Sequence, residues 1–139
     1  MKYNRIFALL ALSALFTAPV SAIGPKVTLT AVLTGTNEPA GGDADGKGSF
    51  SAMVDADNGD FCYALKADKI AAATMAHVHS GAAGSNGPPV ATIELSDDIC
   101  MAIEPDVLRA IIAHPENYYV NIHNAEFPAG AIRGQLQVK

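Results

Sequence analysis

The segment of this chain richest in potential chemistry is Met75-Ala76-His77-Val78-His79. Successive side chains of a β-strand point to opposite faces, so Met75, His77 and His79 share one face while Ala76 and Val78 turn to the core. Tyr119-Val120-Asn121-Ile122-His123 repeats the alternation, with Val120 and Ile122 inward and Asn121 and His123 outward. Set side by side, the two strands bring three imidazoles onto one face. Three neutral imidazoles make a partial shell for copper or zinc, completed by water or a further side chain. Met75, Glu38 and Glu126 are the candidate additional ligands: a thioether favours reduced copper, and a carboxylate favours zinc or oxidised copper. A His-x-His pair also arises where imidazoles merely hydrogen-bond to loop backbone, and the glycine-rich loop that follows has many such groups. His114, just before Pro115, meets the negative end of a helix dipole and is left out of the site.

The elements that must position these residues read as short strands. Val27 to Leu33, Phe50 to Val54 and Phe61 to Lys66 alternate apolar and polar residues, and the Asp55–Asp60 turn signal joins the second to the third. Phe61, Tyr63 and Leu65 share one side of the third strand, with Cys62 on the other. Thr74 to His79 and Val90 to Leu95 follow as strands. Pro105 to Ala113 is the one helix, with Pro105 at its first position, Asp106 at its positive end and Val107, Leu108, Ile111 and Ile112 as its apolar face. Tyr118 to His123 and Ala131 to Val138 close the chain as two more strands. With Ile132, Leu136 and Val138 inward, Arg133 and Gln135 fall on the histidine face. There they are expected, with Asn121, to orient the ligands from a second layer. The Gly81–Gly87 stretch lacks the lysine and the strand-to-helix context of a phosphate loop. It is expected to wrap the end of an antiparallel sandwich or barrel.

The remaining signals bear on compartment and partners. Lys2 and Arg5, the apolar run Ile6 to Phe16, Pro19 and the small residues Val20-Ser21-Ala22 form a secretory leader, residues 1–22, ahead of one domain, 23–139. The apolar run is shorter than the roughly 20 residues that span a bilayer. The formal charge is −5 and becomes more negative once Lys2 and Arg5 leave. An acidic domain lacks the basic face that nucleic acid needs, and it does not suit anionic membrane surfaces. Cys62 and Cys100, an even pair in an exported chain, are expected to form a disulfide. The acidic turns lack the closing Glu of an EF-hand loop, and no nucleophile–base pair is present, so an enzyme is not expected.

Three stretches carry a family resemblance. Ala76-His77-Val78-His79-Ser80-Gly81-Ala82-Ala83-Gly84-Ser85-Asn86-Gly87-Pro88 resembles the central motif of the CHRD domain, named after chordin. Asn117 to Leu136 resembles its closing motif, and Leu33 to Pro39 its opening segment. The resemblance spans nearly all of the exported part and implies an immunoglobulin-like β-sandwich or barrel. The chain is similar to the single-domain exported microbial type and lacks the Cys-rich modules of chordin, so growth-factor antagonism is not implied. A fainter similarity to copper-zinc superoxide dismutase rests on the His-x-His and glycine-rich loop, but that family needs further histidines and an aspartate. The expectation is therefore a secreted or periplasmic binding module, holding copper or zinc through His77, His79 and His123. The alternative is a domain that binds an extracytoplasmic protein or matrix partner, with structural histidines.

Overall fold

Period-two alternation reappears as burial. The computed structural model describes residues 24–139; the leader expected at residues 1–22 lies outside them. Leu29, Ala31 and Leu33 of β1 (Val27–Thr34), Phe50, Ala52 and Val54 of β2 (Lys47–Asp55), and Phe61, Tyr63 and Leu65 of β3 (Asp60–Asp68) are all buried. Ala76 and Val78 of β4 (Ala73–Ser80), Ala91 and Ile93 of β5 (Pro89–Ile93), Val120 and Ile122 of β7 (Tyr118–Asn124), and Ile132 of β8 (Ile132–Gln135) join the same cluster. The rings of Phe50, Phe61 and Tyr63 stand 5.6–6.0 Å apart at its centre. Removing this much apolar surface from water is what holds the strands together.

The domain is mostly β and antiparallel with one short helix, as expected. Its strands form one continuous sheet in the order β5-β4-β7-β8-β1-β2-β3-β6, with β6 spanning Ser96–Ala102. A single residue pair, Thr34 with Arg133, joins β1 to β8, and β9 (Gln137–Val138) pairs with β1. The sheet curls there, so both four-stranded arms face one core. The tight β2–β3 hairpin follows from Asp55, whose Oδ1 accepts the backbone N–H groups of Asp57 and Asn58 at 3.1 and 3.3 Å. Helix α1 (Pro105–Ala113) has the expected bounds and buries Leu108 and Ile111.

Two expectations need correction. The final strand does not run unbroken from Ala131 to Val138. It divides at Leu136, and Val138 is half-exposed rather than inward, because β9 has only β1 beside it at the end of the chain. The stretch between Leu95 and Pro105, to which the sequence reading assigned no element, holds a further strand, β6. Cys100 of β6 lies directly across from Cys62 of β3, and the two are disulfide-bonded.

That bond clips an exposed edge strand to the core hairpin across 38 residues of chain. Cross-linking a loop of this length is worth about 4 kcal/mol in the chain-entropy model. Reduction, or the Cys62→Ser/Cys100→Ser variant, is expected to lower the unfolding free energy by about that amount. Urea denaturation with and without reductant measures it.

Candidate metal centre

Antiparallel pairing of β4 with β7 builds the site. Met75 lies across from His123, His77 from Asn121 and His79 from Tyr119, and β8 adds Arg133 beside Asn121 and Gln135 beside Tyr119. The three expected imidazoles therefore converge. Each of His77, His79 and His123 offers a ring nitrogen within 4.8 Å of the others, and among the described residues they form the one group of this kind. His77 Nδ1 is 3.2 Å from His123 Nε2.

Hydrogen bonds decide which nitrogens are free. His79 Nδ1 is 2.8 Å from the Gly87 carbonyl and His123 Nδ1 is 3.0 Å from the Pro128 carbonyl. A carbonyl only accepts, so both Nδ1 atoms carry the proton, and each neutral ring presents its Nε2 lone pair to the cluster. His79 Nε2 is buried with no hydrogen-bond partner. Outer-layer carbonyls of this kind fix the tautomer and ring orientation of metal-ligating histidines in general.

The outer face is not open to water along its length. The Gly81–Gly87 loop folds back over it, instead of wrapping the end of the sheet. Arg133 donates to the Ser85 carbonyl at 2.9 Å and to Asn86 Oδ1 at 2.7 Å, and Gln135 donates to the Gly81 carbonyl at 2.8 Å. The Gly87 N–H donates to the Tyr119 hydroxyl at 3.4 Å. Gly87 is required where the loop returns, since a Cβ there would collide with the Ser80 carbonyl. Beneath the loop, Tyr119 is 1 % exposed. On its β4 side the His79 ring stacks at 4.9 Å with its plane parallel to that of Tyr119, and from β8 the Arg133 guanidinium lies 3.8 Å over the ring.

The other candidate ligands take separate places. Glu38 pairs with Arg133 at 2.9 Å, both side chains almost wholly buried, and does not join the histidine group. A side chain on Gly130 would displace its carboxylate, so the glycine makes room for the pair. Glu126 is exposed on the loop after β7. Met75 is half-exposed at the edge of the cluster, across from His123. His114 caps α1 and stands 3.4 Å from Glu116, away from the site. The Glu38–Arg133 pair and the stacked Tyr119 had no local signature. A buried arginine position does call for a carboxylate, but chain spacing does not say which one.

Burial pushes the imidazoles of His77 and His79 below their ordinary 6.5; neighbouring imidazoles add to this, and for His79 Arg133 does as well. The bond from His79 to Gly87 works in the other direction. Burial raises the Glu38 carboxyl above 4.5, with Arg133 opposing it.

Residues 29–136 match the CHRD domain. The chain belongs to the CHRD domain family. No curated protein and no solved structure matches it. All three histidines, with Asn121, Tyr119, Arg133 and Glu38, fall inside the CHRD match, so the whole polar layer is part of the domain.

Two outcomes are expected of this layer. Glu38→Ala leaves Arg133 buried without its counter-charge and should cost about 3–5 kcal/mol, read as a lower urea midpoint. The second concerns pH. Imidazoles whose folded pKa is depressed confer stability that is complete above 6.5 and is lost as pH falls through their folded values. Glu38 contributes with the opposite sign, complete below 4.5 and lost as pH rises through its folded value. As pH falls below 6.5 the imidazole contribution is lost, so a His77→Gln/His79→Gln variant of the metal-free domain should lose less stability on acidification than the wild type, as read by urea midpoints.

Proposed function

We propose that this protein is an exported, immunoglobulin-like CHRD module that binds one copper or zinc ion through His77, His79 and His123. The observation that carries the reading is the pair of backbone carbonyls, Gly87 and Pro128, that force two Nε2 lone pairs toward a third imidazole. Lone pairs facing one another in a partly buried site repel unless a proton or a metal ion lies between them. A neutral His77 can place its own Nδ1 proton toward His123 Nε2 at 3.2 Å, but the buried Nε2 of His79 has no partner, and a metal ion bound by all three rings would take that lone pair. Three neutral nitrogens suit Zn(II) and Cu(II), with a fourth position for water or another donor.

Export is supported by the leader pattern of residues 1–22 and by the Cys62–Cys100 bond, which is characteristic of oxidising compartments. It places the domain in a periplasm or outside the cell. A second reading makes the histidines structural, serving a domain that binds a protein or matrix partner. The same two carbonyl bonds favour it, because they tie the loops to the sheet whether or not a metal is present.

Competitive titration of the purified protein with Zn(II) and Cu(II) separates the two. The metal reading expects one ion per chain, lost in His77→Ala/His79→Ala while the fold persists. Binding no tighter than the variant's would leave the structural reading. Because burial lowers the pKa values of His77 and His79 from 6.5, proton competition at these two ligands should set in at a lower pH than for free imidazole. On further acidification it should drop by more than about tenfold per pH unit, as several ligands protonate together.

A further inference from the structure

Asn121 stands at the middle of the histidine cluster. His77 faces it across the β4–β7 ladder, His123 is two residues further along its own strand, and His79 is the diagonal neighbour. The side chain is 1 % exposed, yet its Oδ1 has no hydrogen-bond partner. An orphaned buried carbonyl oxygen is costly, and a folded domain retains one where something else satisfies it.

A second orphaned atom lies in the same layer. The Nε2 of His79, on the strand facing Asn121, is also buried without a partner and, in the neutral ring, is an acceptor. Two unsatisfied acceptors thus sit on neighbouring strands beside the histidine group. Arg133 lies beside Asn121 on β8 and is paired with Glu38.

We propose that the Asn121 side-chain oxygen is the fourth protein donor of the three-histidine site, and that it selects a divalent ion over Cu(I). The inference rests on the metal-binding reading above. Three imidazoles and one amide oxygen form a neutral, borderline-to-hard donor set. Zn(II) and Cu(II) gain from the oxygen, whereas Cu(I), which prefers thiolate and thioether donors, gains least.

The test compares Zn(II) and Cu(I) affinities, by competitive titration, for the wild-type protein, Asn121→Leu and Asn121→Asp, with Cu(II) EPR spectra of each. Asn121→Leu is expected to weaken Zn(II) by about tenfold or more and to change the Cu(II) spectrum. Its Cu(I) affinity should move by less than about threefold. Asn121→Asp keeps the shape, supplies a charged oxygen and should bind Zn(II) more tightly than wild type; it carries the test if the leucine variant fails to fold. Equal losses for Zn(II) and Cu(I), or Zn(II) affinities and Cu(II) spectra unchanged in the variants, would overturn Asn121 as a ligand while leaving the histidine site standing. Absence of histidine-dependent binding in the wild type would overturn both.

Discussion

Everything outside the apolar core depends on one buried cation. Arg133 sits on the outer face of β8, where a strand residue would ordinarily meet water, and it is 3 % exposed. A charge taken out of water must be paired and hydrogen-bonded, or it costs several kcal/mol. Arg133 meets that demand in three directions. It pairs with Glu38 from the segment after β1, donates to Ser85 and Asn86 in the loop after β4, and lies over Tyr119 of β7. Parts of the chain distant in sequence are tied to one guanidinium. The planar fork of arginine suits this better than an ammonium would, because its donors point in fixed directions.

This anchoring turns an ordinary sheet face into a second interior. The apolar core lies on one side of β4, β7 and β8, and a thin polar layer lies on the other, closed by the glycine-rich loop. Inside that layer electrostatic effects are stronger than in water, which is why burial alone can depress imidazole pKa values and raise a carboxyl. His79 and His123 are oriented by main-chain carbonyls at the ends of two loops, and His77 by its contact with His123. Orientation from backbone is rigid, since a carbonyl cannot rotate independently of the chain that carries it.

Much of this was legible in the sequence wherever the signal was local. The inward and outward faces of β1, β3, β4 and β7 follow from alternation, and so does the sharing of one face by His77, His79, Asn121 and His123. Pro105 and Pro115 bracket the helix. Strand β6 was not legible, because Ser96, Asp97 and Asp98 make its beginning polar and it lies at an exposed sheet edge, where no buried face imposes a pattern. The break at Leu136 was hidden because the alternation continues through it; only the change of partner from β7 to β1 interrupts the strand. The Glu38–Arg133 pair and the return of the loop over the face depend on contacts across 95 and 48 residues. No window of sequence contains them.

The loop over the polar face has a consequence for how this domain can vary. Its attachments run almost wholly through main-chain oxygens, those of Gly81, Ser85 and Gly87, with Asn86 the one side chain engaged. Ala82, Ala83 and Gly84 point into solvent. The path of the loop is thus constrained, and Gly84, at φ 77°, is part of that constraint, while the identities of Ala82 and Ala83 are not. A natural or engineered relative can rewrite those two positions as freely as an antibody rewrites a hypervariable loop, and a recognition surface can diverge there while the chemistry beneath it stays the same.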